Sequence, residues 1–213
     1  MRACIGGACL FLLSLAAHAE SPSLDRVQTL CANVESPSHC GRVIEAEQLK
    51  ALPDLAKREG DTLTVKLYPS GTRLFVDTIA SSNERSYALW DYWSPVNAVV
   101  LFVTSGEDLS YAILQRATGQ LTTLPAEPVL APDRQHLAVA DFCTRNCTNE
   151  LTVWRVSRDG VRKELGYRPA AAWGDVTATW KDPDTLVVEY TPPGASAASK
   201  VDRKLTAPDW KRY

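Results

Sequence analysis

Two hydrophobic periods divide the chain. Leu24, Val27, Cys31 and Val34 recur at helical spacing, and Ser21-Pro22 places a capping serine and a first-turn proline before them. Ser36-Pro37-Ser38 ends that helix. Ile44, Leu49, Leu52 and Leu55 continue a second helical pattern, which Pro53 breaks or kinks and Gly60 stops. From Asp61 apolar and polar residues alternate, the period of half-buried strands. Short strands are predicted over 62–67, 73–77, 86–92, 98–104, 111–116, 120–124, 129–130, 137–142, 151–156, 161–165, 176–180 and 185–190. Residues 200–205 alternate as well and predict an edge strand after the small-residue loop 192–199.

The turns between these strands repeat. A hairpin with a glycine turn is followed by a strand, a proline-containing turn and another strand, over 62–104, 111–142 and 151–190. Gly71, Gly119 and Gly160 mark the glycine turns, 48 and 41 residues apart. Ser94-Pro95, Pro132-Asp133 and Pro183-Asp184 mark the others. One small meander cannot bury both its faces, so such units stack. The expected fold is all-β: a propeller-like stack of about three four-stranded meanders, open or incomplete, after a short helical hairpin.

The first residues change the picture of where the protein works. Arg2, the apolar run 10–15 and Ala17-His18-Ala19 have the form of a secretory signal peptide cleaved before Glu20. The expected organisation is therefore a signal peptide over 1–19, a helical segment over 20–60 and a β domain over 61–213. The location expected is periplasmic or secreted. No second apolar run is long enough for a membrane span. A net charge of −2 provides no basic excess to draw nucleic acid.

Cleavage leaves Cys31, Cys40, Cys143 and Cys147, an even number in an exported chain. Three pairings are formally possible. The local one, Cys31–Cys40 with Cys143–Cys147, is expected, each loop closure contributing about 2–3 kcal/mol in the chain-entropy view. Zinc is the competing use, but this cysteine spacing, even with His39, is poor for a zinc site, so no metal is assigned.

Leu130-Ala131-Pro132-Asp133 followed by Leu137-Ala138-Val139-Ala140 resembles the Ser-Pro-Asp-Gly turn and strand of Tol-type and Trp-Asp-repeat β-propellers. Ala131 stands where those families have Ser, and Arg134 where they have Gly. Gln115-Arg116-Ala117-Thr118-Gly119 is similar to their strand-to-turn segment, and Trp180-Lys181-Asp182-Pro183-Asp184 is a degenerate second copy of the proline turn. The resemblance covers 62–190 loosely. It implies a propeller-like fold and no catalytic residues by default. The mature chain as a whole also resembles secreted bacterial proteins, a likeness that implies no activity.

Candidate chemistry is sparse. Trp90 and Tyr92 lie in an aromatic run, and flat rings bind sugars and peptides; simple alternation puts the two on one face. Packing between neighbouring sheets competes as their role. Asp141, Asn146, Asn149 and Glu150 surround the Cys143–Cys147 loop and offer oxygen ligands, although their spacing matches no calcium motif. Asp133 reads as a turn former and His136 as a solvated strand-start residue. No phosphate loop, dinucleotide fingerprint, zinc-protease motif or serine elbow is present, and no cofactor is implied. The function expected is a binding or interaction module whose partner is another envelope protein or a surface polymer. The alternative is an exported hydrolase or sugar-acting enzyme with its site in a cleft between sheets.

Overall fold

The structure, a computed structural model, describes residues 22–78, 84–143, 146–157 and 160–213. The expected signal peptide over 1–19, the expected Ser21 cap and the Arg158-Asp159 part of a predicted turn lie outside them. Helix α1, Leu24–Cys31, is capped by Ser23, whose hydroxyl accepts from the Arg26 N–H. Helix α2, Pro37–Ala51, is capped by Ser36 with Pro37 in its first turn, so the residues expected to end one helix also start the next. The Cys31–Cys40 disulfide clamps this hairpin, as the local pairing required. The helical pattern through Leu55 is cut short at Ala51. Pro53 cannot continue the helix, and the chain turns into strand β1, Ala56–Glu59, inside the segment expected to be wholly helical.

The fold is all-β with this helical region at its start. Its strands form four open antiparallel meanders. Sheet 1 is β1, β2 (Thr62–Lys66) and β3 (Thr72–Val76). Sheet 2 is β4 (Arg85–Trp93), β5 (Ala98–Ser105), β6 (Asp108–Gln115) and β7 (Leu121–Leu124). Sheet 3 is β8 (Pro128–Leu130), β9 (His136–Asp141), β10 (Glu150–Ser157) and β11 (Gly160–Tyr167). Sheet 4 is β12 (Gly174–Asp182), β13 (Thr185–Thr191) and β14 (Ser199–Lys204). A two-residue strand, β15 (Lys211–Arg212), returns to pair with β11.

Every strand the alternation predicts is present, but the repeat unit is out of phase. Each glycine turn joins the last two strands of one meander: β2–β3, β6–β7 and β10–β11. Each proline turn joins the first two of the next: β4–β5, β8–β9 and β12–β13. The three sequence repeats therefore straddle sheet boundaries, and four sheets form where about three were expected. Turn chemistry marks hairpins; it carries no information on which hairpins share a sheet.

Three hydrophobic cores separate the four sheets in a row. Leu63, Val65 and Phe75 of sheet 1 meet Leu89, Leu101 and Leu114 of sheet 2. The other face of sheet 2, with Trp90, Val100, Phe102 and Ile113, meets Leu137, Val139 and Val156 of sheet 3, and Ile44 of α2 joins them. The far face of sheet 3, with Ala138, Leu151 and Val153, meets Ala178, Leu186 and Val188 of sheet 4. Helix α2 lies close on β4 and β5. A Cβ at Gly41 would fall 2.7 Å from Phe102 Cδ1 and 3.2 Å from the Ala88 Cβ, so glycine permits this approach.

A buried ionic cluster ties α2 to both neighbouring sheets. Glu45 accepts from the Arg58 guanidinium of β1, from Arg42, and from the Leu89 N–H at 2.8 Å. Arg42 also pairs with Asp77, which accepts from the Tyr87 N–H at 3.0 Å. Burial pushes the Glu45 carboxyl up to about 7, while the Leu89 N–H and Arg42 pull it down. Such a cluster fixes the position of the helix more than it stabilises the fold, because desolvation offsets the attraction.

Candidate functional site

Hairpin geometry gives the stack two unlike ends. The turns at Gly71, Asn97, Gly119, Pro132, Gly160 and Pro183 gather at one, and the other carries the longer loops with the short turns at Gly60 and Gly106. At the turn end a single arginine organises three loops. Arg116 donates from Nε to the Lys66 carbonyl at 2.7 Å and from its guanidinium to Asn97 Oδ1 at 2.8 Å and the Tyr92 hydroxyl at 3.1 Å. Its backbone N–H bonds the Asn97 carbonyl, and its carbonyl accepts from the Tyr68 N–H at 2.9 Å. Asn97 closes the β4–β5 turn in the left-handed region at φ 49°, a conformation asparagine tolerates. Gly119, at φ 71°, does the same for β6–β7. Gln115, buried at the end of β6, donates from Nε2 to the Ser157 carbonyl of β10 at 2.9 Å and joins sheet 2 to sheet 3.

These loops enclose a cavity of about 620 Å³ lined by Tyr68, Pro95, Val96, Asn97, Gln115, Ala117, Val156 and Ser157. Three sheets contribute to it, none of the described lining side chains is charged, and Tyr68 stands 61 % exposed at its mouth. Its size and apolar lining with a few polar groups are those of a small-ligand or side-chain pocket. A second hollow of about 410 Å³ adjoins it through Ser157, with Arg155 and Arg162 on its wall. Both arginines face one carboxylate, Glu164, at 3.6 and 3.5 Å, so this rim carries positive charge. A larger trough of about 690 Å³ lies beside sheet 4, but four of its charges pair within it: Lys181 with Asp202 and Arg203 with Asp209, both at 2.6 Å.

The residues singled out from sequence lie elsewhere or at the margin. Trp90 and Tyr92 do not share a face. A β-bulge between Leu89 and Asp91 breaks the alternation. Trp90, 4 % exposed, packs between sheets 2 and 3, stacks on Phe102 at 5.4 Å and donates from Nε1 to Glu127 at 2.9 Å. Tyr92 turns the other way, half-buried beneath the Arg116 guanidinium. Packing accounts for Trp90, and Tyr92 supports the turn-end loops.

The stapled loop has the expected Cys143–Cys147 disulfide, and its carboxylates are already engaged. Asp141 accepts from the Thr148 N–H and hydroxyl at 2.7 and 2.6 Å. Asn149 accepts from the Cys143 N–H at 3.3 Å, and Asn146 is an exposed turn residue at φ 63°. Glu150 points inward to Lys163 Nζ at 2.9 Å and the Tyr213 hydroxyl at 2.8 Å, with Arg168 at 3.5 Å. Burial would raise its pKa, but the Lys163 and Tyr213 hydrogen bonds and the Arg168 charge hold it below the usual carboxylate range. Among the described residues no group of three or more His, Cys, Asp or Glu is arranged to hold a metal ion.

Two pairings escaped the sequence analysis. Asp133 is a turn former that accepts from the Gln135 and His136 N–H groups, and it also bonds His136 Nδ1 at 2.6 Å. Those bonds outweigh burial and lower its pKa. Glu164 faces His136 Nε2 at 3.5 Å. His136 is thus half-buried between two carboxylates rather than solvated, with neither nitrogen turned to a nucleophile. The signal for Asp133 was the three-residue spacing to His136; Glu164 sits at a bulge between β10 and β11, and nothing local points to it. No described helix is long and apolar enough to cross a membrane. Comparison with family models, with curated proteins and with solved structures finds no match for the chain.

Proposed function

We propose that this is an exported binding module, a propeller-like stack left open, that takes an apolar group of a partner protein into its turn-end cavity. The observation that carries the reading is the cavity of about 620 Å³, built by turns of three sheets, whose described lining side chains carry no charge. Its lining suits an aromatic or aliphatic side chain better than a polar polymer, which favours an envelope protein over a surface polysaccharide. The adjoining Arg155 and Arg162 suit a carboxylate next to that group. The N-terminal signal pattern and the two disulfides support export.

Indole-3-acetate, a flat ring bearing one carboxylate, is a direct probe. Titrated into isotope-labelled protein, it is expected to shift the amide signals of Val96, Asn97, Ala117 and Ser157 in a saturable way. Ala117→Trp, at an exposed position on the cavity wall, is expected to abolish those shifts without altering the rest of the spectrum. Shifts that are absent, scattered over the surface, or unchanged in Ala117→Trp overturn the proposal.

A further inference from the structure

The last strand of each meander presents an edge, and the four edges differ chemically. β11 is covered in part by β15. On β14 the Leu205 N–H bonds Asp184, so residues of odd number face β13 and Lys200, Asp202 and Lys204 face outward. All three are charged, a common guard against strand addition. β7 is four residues long, turns only Leu121 and Thr123 outward, and meets Pro125 immediately after.

β3 has no such guard. The Leu67 N–H bonds Gly71 and the Asp77 N–H bonds Asp61, which sets the parity of the strand. Arg73 and Phe75 therefore bond β2, while the N–H and C=O groups of Thr72, Leu74 and Val76 point away from the sheet. Beyond Val76 the same edge is taken by Thr78, which exchanges hydrogen bonds with Arg85 at 2.8 and 3.0 Å. Among the described residues the open edge thus runs from Thr72 to Val76, and Leu74 is its centre. Leu74 is 58 % exposed and Val76 52 %, and no outward residue carries a charge.

We infer that β3 is a self-association edge: two copies of the chain pair through it, antiparallel, about a two-fold axis at Leu74. The parity permits this. Leu74 then opposes Leu74 and Thr72 opposes Val76, each as a hydrogen-bonded pair, and the two three-stranded sheets join into one. The edge is self-complementary because its outward row is uncharged and palindromic in size about Leu74. On the opposite face Arg73 of one copy stands across from Phe75 of the other, whose ring stays buried in the core between sheets 1 and 2. The turn-end cavity takes no part, so this inference stands apart from the binding function.

Sedimentation of the full chain over a concentration series tests it. The wild type is expected to shift from one-chain to two-chain mass as concentration rises. Leu74→Lys, which sets two like charges face to face at an exposed position, is expected to weaken the dimer about tenfold or more. Thr72→Glu and Val76→Lys are each expected to weaken it, and the double variant to restore it, because the register sets each Glu against a Lys. A wild type that keeps one-chain mass throughout, or a dimer untouched by Leu74→Lys, overturns the inference; failure of the double variant to restore association overturns the two-fold register.

Discussion

Replacing Glu150 by Gln tests whether the inward carboxylate anchors the stapled loop and the C-terminal strand. Glu150 is 4 % exposed and faces Lys163, Tyr213 and Arg168. Removing one partner of a buried ion pair costs about 3–5 kcal/mol. Two features reduce that figure. Lys163 and Arg168 retain access to water, at 24 % and 66 % exposure, and the glutamine oxygen still accepts from Tyr213. The expected loss is about 2 kcal/mol near neutral pH, or a melting temperature lower by about 4–8 °C for a domain of this size. The acid dependence supplies the sharper check. Lys163 and Tyr213 hold the folded pKa of Glu150 below its ordinary value, so its contribution is present above about 4.5 and disappears as pH falls through the folded value. Urea unfolding of wild type and Glu150→Gln at about pH 7 and about pH 3 is expected to show the gap closing in acid. Equal urea midpoints at neutral pH, or a gap that acid leaves unchanged, would refute the reasoning.

Two further outcomes follow from the packing of α2. Burial raises Glu45 to about 7, so its contribution is complete below about 4.5 and lost as pH rises through 7; thermal melts are expected to lose up to about 3 kcal/mol over that window, and Glu45→Gln to flatten it. Gly41→Ala adds a methyl 2.7 Å from Phe102, so calorimetry is expected to show a net loss of about 1 kcal/mol in place of the similar gain that alanine brings to an exposed helix position.

Local features were legible in the sequence, and long-range ones were not. The glycine and proline turns and both disulfides depend on neighbouring residues, and each appears where expected; Ser36-Pro37, expected to end the first helix, instead starts the second. The phase of the sheets depends on which faces meet across hairpins, and no local residue records it. Trp90 was misplaced because one extra residue in β4 reverses every side chain beyond it. Glu45 with Arg58 and His136 with Glu164 are partners through tertiary packing, so spacing could not pair them. The turn-end cavity collects residues from 68 to 157, each ordinary in its own turn.

Strand β15 pairs at Leu165 and Gly166, and the Tyr213 N–H bonds the Glu164 carbonyl. Residues 168–210 therefore leave sheet 3 and return to it, and the whole of sheet 4 lies within that excursion. It is fastened at both ends like a flap sewn on two seams. Its three strands share a single core with sheet 3, whereas sheets 2 and 3 are each buried on two faces. Sheet 4 can open as one cooperative unit while both ends of the excursion stay anchored, an event that amide hydrogen exchange would register as a common, sub-global opening energy for β12, β13 and β14.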